Sequence, residues 1–216
     1  MNRLIRSLSF VALLLVASSA FAQKKVLVQE QDGTPVQLQF CATGNGFNPT
    51  AANNLEKGTA TEVSLQLSPS GTGVANNAAR QSAKADFGEN RAGCYAVRAA
   101  FEFAATPTAG NTVELWWAPS SSGTAGTGNA AAITGADGAY SGYSSNLDAS
   151  IKQLIYIGTF VTTAQATSTV QVAEVGRLCP TERYGSLVVY NKSGAAFHSD
   201  DDECHIVFDP IIPEVQ

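Results

Sequence analysis

The most concentrated chemistry in this sequence is the run His198-Ser199-Asp200-Asp201-Asp202-Glu203-Cys204-His205, in which both histidines of the chain flank four acids. Calcium takes about 6–8 oxygen ligands, and a contiguous acidic turn supplies several, but the D-x-D-x-D-G loop pattern is absent. The run therefore reads as a solvated acidic turn. Asp137, Asp200 and Asp202 are the ligands the sequence selects if a cation binds, calcium first, and no other cofactor is expected. Catalysis at His198 or His205 needs a nucleophile and an orienting acid. No G-x-S-x-G elbow supplies the first, since Gly142-Tyr143-Ser144-Ser145-Asn146 departs at its last position. Glu102, Glu114 and Glu174 fall on strand segments, and spacing does not pair them across a cleft as glycoside hydrolysis requires. No catalytic residues are assigned and the chain is read as non-enzymatic.

Aromatic side chains carry the second kind of chemistry. Trp116 and Trp117 are adjacent in a strand segment, so one indole falls on each face, one in the core and the other toward solvent, a loop or a partner. Tyr140 and Tyr143 lie in a Gly/Ser-rich stretch, a setting in which tyrosines build adaptable binding loops. The outward tryptophan, Tyr140 and Tyr143 together form the expected contact surface for a sugar ring or a protein partner. Gly44-Asn45-Gly46 and Gly123 to Gly128 read as turns, because neither is followed by the Lys-Ser/Thr of a phosphate loop.

Cys41, Cys94, Cys179 and Cys204 have no C-x-x-C spacing, which disfavours zinc. In an oxidising compartment they form two disulfides. Three connectivities are open; the expected one joins Cys41 to Cys94 and Cys179 to Cys204, since each pair flanks segments that would neighbour in a meander.

The elements that must position these groups are strands. The chain has 216 residues, 44% hydrophobic and 14% charged, enough apolar material for the core of one domain. Val36 to Phe40, Val63 to Leu67, Arg80 to Phe87, Tyr95 to Phe103, Thr112 to Ala118, Lys152 to Thr163, Thr169 to Leu178, Ser186 to Asn191 and Cys204 to Asp209 alternate with period two. About nine strands predict an all-β fold, a two-sheet antiparallel sandwich of jelly-roll type, with Val97, Phe101, Leu187 and Val189 inside. The Gly/Ala/Ser-rich loop 119–150 interrupts them; within it Ala130-Ala131-Ala132 and Asn146 to Ile151 each suggest a short helical turn, the second capped by Asn146.

Met1 to Ala22 reads as a secretory signal peptide: Arg3 and Arg6, an apolar stretch Leu8 to Ala17, then Ala20-Phe21-Ala22. The stretch is too short for a bilayer-spanning helix, so no membrane span is expected after cleavage. Residues 23–35 form an N-terminal arm or edge strand and 36–216 a single β-domain. Net charge is −5, with no Lys/Arg cluster to neutralise phosphates, which removes the main energetic term of nucleic-acid binding. Export to the periplasm, the cell surface or the medium follows.

Several stretches belong together: Ala79 to Phe87, Val113 to Ser120, Gly135 to Tyr140, and Arg183 to Asp200, ending in Phe208-Asp209-Pro210-Ile211. With them the chain resembles, over roughly residues 80–213, a group of small, poorly characterised tailed-phage virion proteins, here with a signal peptide and four cysteines added. The resemblance implies a β-sandwich accessory that self-associates or touches capsid, tail or host surface, and a virion location as the alternative to export. The expected partners are therefore a second copy, a virion or cell-surface protein, or a glycan.

Overall fold

The computed structural model describes residues 35–43, 48–200 and 202–212. The expected signal peptide, the arm up to residue 34, the Gly44-Asn45-Gly46 turn and Asp201 lie outside them. All described residues belong to one compact unit, Thr34–Gln216.

Among the described residues eleven strands form: β1 (Leu38–Cys41), β2 (Thr61–Ser64), β3 (Ala78–Gln81), β4 (Ala85–Asp86), β5 (Cys94–Phe101), β6 (Thr112–Ser120), β7 (Gly138–Tyr140), β8 (Ile155–Val161), β9 (Gln171–Leu178), β10 (Tyr184–Lys192) and β11 (His205–Ile211). A short α-helix, α1 (Leu147–Ile151), follows Asn146, whose side chain accepts the Ala149 backbone N–H. Among the described residues no helix is long and apolar enough to cross a membrane.

The fold is all-β, but its pairing corrects the expectation of two separate sheets. A single hydrogen-bonded path runs β2-β1-β11-β5-β9-β8-β6-β10-β3-β7, with β4 adding to β10. Neighbours are antiparallel except β1 and β2, which run parallel. The path crosses from β9 to β8 at one residue pair, Gly158↔Gly176. Only glycine fits there: a Cβ on Gly158 would lie 2.1 Å from the Val175 carbonyl oxygen, and one on Gly176 2.3 Å from that of Ile157.

At this seam the sheet curls so that its two halves face each other. Phe40 of β1 and Phe208 of β11 lie far along the path from Trp117 of β6, yet their ring centroids are 6.4 and 5.8 Å from the indole. Phe101 of β5 meets Phe160 of β8 at 5.0 Å, edge to face. The four core residues named from periodicity, Val97, Phe101, Leu187 and Val189, are fully buried in this interior.

The 119–150 stretch is not structureless. It packs Ala131 and Ile133, with Ile151 and Leu154 beyond it, onto Ala118, Val188 and Tyr190, forming a second apolar cluster. It holds β7, which pairs with β3, and α1 begins within it. Ala131 and Ala132 have φ of 50° and 61°, and the Ile133 N–H bonds the Ala130 carbonyl, so the expected helical turn is instead a tight left-handed turn. Lys84 ties down the glycine-rich part: its ammonium donates to Ser120 Oγ (2.5 Å) and to the carbonyls of Ser122 (2.5 Å), Thr124 (3.2 Å) and Thr127 (2.7 Å).

The disulfide joins Cys94 to Cys179, with Cα atoms 4.0 Å apart, and neither expected pairing forms. The cause is strand order: β5 pairs with β9 and sets Tyr95 opposite Leu178, so the two cysteines fall on the next rung. Cys41 and Cys204 are free and buried. Cys41 follows the Phe40↔Ile206 rung and thus stands across from His205, whereas Cys204, one residue earlier, points to the opposite face, into the core.

Candidate binding surface

β6 pairs with β8 on one side and β10 on the other, so its outward residues sit on a backbone held along both edges. Alternation sends Trp117 inward, fully buried between Phe87 and Phe208, and Trp116 outward. The buried Trp117 indole N–H finds no acceptor among the described residues.

Opposite Trp116 the ladder shifts: Leu115 pairs with Gly158 but Trp116 with Tyr156, so β8 carries one extra residue, Ile157. That bulge places Tyr156, 50% exposed, directly across from Trp116, with ring centroids 4.8 Å apart. Trp116 Nε1 donates to Glu114 Oε2 (3.2 Å), and Lys192 Nζ reaches Glu114 Oε1 (2.9 Å). The same ammonium lies 4.4 Å from the centre of the Tyr190 ring, whose hydroxyl donates to Asp148 Oδ1 (3.1 Å). Tyr156 and Thr159 hydrogen-bond through their hydroxyls. An aromatic pair therefore lies beside a fixed carboxylate and an ammonium on three adjacent strands.

This surface shares only part of its membership with the one read from the sequence. Trp116 points away from the main core and is partly buried against the second apolar cluster, and Tyr143 is 55% exposed on the segment entering α1. Trp117 and Tyr140 are core residues. The Tyr140 hydroxyl donates to the Ala131 carbonyl (2.8 Å), and burial pushes its pKa up to about 12. Tyr156, Glu114 and Lys192 were not assigned to the surface, because the bulge that aligns them leaves no mark in the alternation.

The expected cation ligands are differently occupied. Asp137 accepts from Arg80 Nε (2.7 Å), Ser64 Oγ (2.9 Å) and the Gln66 N–H (2.8 Å), which fastens β2 and the residues after it to β3. Asp200 and Asp202 stand in the acidic turn, where Asp200 Oδ1 accepts the Asp202 N–H (3.1 Å). Among the described residues no three His, Cys, Asp or Glu side chains come together to hold a metal ion.

Around His198 the fold assembles partners that spacing could not show. Ser168 Oγ lies 3.5 Å from Nε2, and the buried Glu102 carboxylate 3.4 Å from Nδ1. The order is that of a nucleophile, base and acid, but Nδ1 also accepts the Asp200 backbone N–H (3.1 Å). A neutral ring accepting at Nδ1 carries its proton on Nε2 and donates toward Ser168, whereas a general base for that serine needs Nε2 free. The contact clamps the 164–170 loop. Burial raises the Glu102 pKa, with His198 opposing and Asp200 adding to the shift.

His205 is fully buried on the outer side of β11, and its Nε2 accepts the Leu55 N–H (3.2 Å). On the same face Asp209 is held by Arg98 and Gln37, with Lys57 Nζ 3.7 Å away, under the segment that follows β1. These groups fasten a covering loop to the sheet. No family model matches the chain, and comparison with curated proteins and with solved structures gives no match.

Proposed function

We propose that this protein works by contact: a non-enzymatic structural or accessory domain, of the virion type that its sequence resembles, exported and joined to its partner through the outward face of β8, β6 and β10. One observation carries the reading. Trp116 and Tyr156 stand together across the β6–β8 ladder, Trp116 on a strand paired along both edges, and aromatic side chains on held backbone are the usual anchors of interfaces. The Cys94–Cys179 disulfide suits an oxidising, exported compartment.

Size-exclusion chromatography with light scattering on the oxidised protein tests this reading. Wild type is expected to elute as a defined oligomer, and Trp116→Ala and Tyr156→Ser to shift it toward monomer. A wild-type monomer, or an oligomer indifferent to both substitutions, counts against self-association through this face. An exported carbohydrate-binding or adhesion module is the second reading, favoured by the carboxylate and ammonium beside the rings.

A further inference from the structure

We infer that the Trp116–Tyr156 pair is a stacking platform for a pyranose ring and that Glu114 and Lys192 read two neighbouring hydroxyls of the stacked sugar; this rests on the contact reading above. A pyranose presents a weakly polar face of C–H groups and a rim of hydroxyls, so its site needs a flat apolar surface with donors and acceptors at the edge. Tyr156, half exposed, offers such a ring face, and the partly buried Trp116, 4.8 Å away and tilted by 58° to it, walls one side.

The polar edge is already oriented. Glu114 has one carboxylate oxygen on the Trp116 indole N–H and the other on the Lys192 ammonium. Each oxygen keeps a further acceptor direction, and the ammonium, with three hydrogens, keeps donors after serving Glu114. Acceptor and donor stand 2.9 Å apart, close to the spacing of hydroxyl oxygens on adjacent ring carbons. One hydroxyl then donates to Glu114 while its neighbour accepts from Lys192. Tyr190 under the ammonium and Asp148 on the Tyr190 hydroxyl hold this edge in place, so little ordering is left for binding to supply.

The charge pattern also favours a sugar over a protein partner. A protein anchor is ringed by further apolar surface that excludes water, whereas this pair hydrogen-bonds a carboxylate, itself bound to an ammonium, and the Thr159 hydroxyl, and the second apolar cluster backs Trp116 alone.

The test is native affinity electrophoresis of the full oxidised protein in gels holding hydroxyethyl cellulose, xylan, galactomannan or dextran, together with a printed array of bacterial surface glycans. Wild type is expected to be retarded by at least one polysaccharide or to bind a defined set of array sugars. Trp116→Ala should weaken that binding at least tenfold, a loss of about 1.4 kcal/mol. Trp116→Tyr should keep most of it, and Glu114→Gln and Lys192→Met should each weaken it about threefold or more. Melting temperatures near wild type show that the variants fold. No binding to any gel or array sugar, or binding unchanged in Trp116→Ala, overturns the inference. Light scattering then separates the two failures: a Trp116-dependent oligomer leaves the contact reading standing without a sugar, and its absence removes both.

Discussion

Replacing Gly158 with alanine strikes the one ladder pair that joins β8 to β9. The new Cβ would lie 2.1 Å from the Val175 carbonyl oxygen and 2.9 Å from its carbon. Both are backbone atoms, so no side-chain rotation makes room, and β8 must withdraw from β9 by on the order of 1 Å. Overpacking of this kind costs about 1–3 kcal/mol. Losing the bridging hydrogen bonds adds roughly 1 kcal/mol. For a domain of this size each kcal/mol moves the melting temperature by about 2–4 °C, so roughly a 5–15 °C decrease is expected. Because Gly158 borders the bulge that sets Tyr156 across from Trp116, the near-UV circular dichroism of that pair should change as well. Gly93→Ala is the control: nothing lies within 4 Å of its added Cβ. That variant should stay within about 1 kcal/mol of wild type. If Gly158→Ala melts with the wild type and the control, the close approach of β8 and β9 is refuted, and with it the account of how the platform is aligned.

Lys84→Met removes the ammonium that holds Ser120, Ser122, Thr124 and Thr127. A loss of about 1.5–3 kcal/mol and faster proteolytic cutting within 121–128 are expected, read by urea unfolding and mass mapping. Burial lowers the His205 pKa below its ordinary value, so on acidification the unfolded chain gains the imidazole proton before the folded one does. Stability should therefore fall as pH drops below about 6.5, and His205→Gln, though weaker at pH 7, should lose that part of the slope in denaturant melts at pH 5, 6 and 7. Burial pushes the Cys41 and Cys204 thiols up to about 12. Folded protein at pH 8 should resist iodoacetamide, whereas denatured protein takes up two equivalents and reduced, denatured protein four. Breaking the Cys94–Cys179 link, which closes a separation of 85 residues, should cost about 4–5 kcal/mol by chain entropy, measured by urea unfolding with and without reductant.

What the sequence disclosed about this fold was local. Alternation marked most of the strands and put Val97, Phe101, Leu187 and Val189 inside, because a residue's face is fixed by its own neighbours. Asn146 was legible as a cap for the same reason: its side chain serves a backbone N–H only three residues on. Strand order was not legible. The Cys94–Cys179 pairing, the curl at Gly158 and Gly176 and the Glu102–His198–Ser168 contact all join residues distant in sequence. The binding surface falls between these cases. Adjacency showed that Trp116 and Trp117 face opposite ways, but which one is buried depends on where Phe40, Phe87 and Phe208 arrive. Tyr156 meets Trp116 only because one residue is added to β8, a local event that alternation passes over. β7, three residues long, is too short to show a period, which left Tyr140 looking like a loop residue.

A sheet that curls without closing keeps two ends. Among the described residues these are β2 and β7, four and three residues long, and the Ala83 N–H already bonds the Ser64 carbonyl of β2. Edges that short offer few unpaired backbone groups, so copies of the chain gain little by adding end to end. The proposed association then falls to the part of the β8, β6 and β10 face around Trp116 and Tyr156, beside the residues that the 119–150 stretch covers. Two copies that meet through the same face are related by a twofold axis and cover that face completely, so assembly through it stops at a pair. A higher assembly then needs a second, different surface, whereas one glycan on the same face leaves each copy alone. The stoichiometry of the purified protein, with and without a bound sugar, thus reports which use the face is put to.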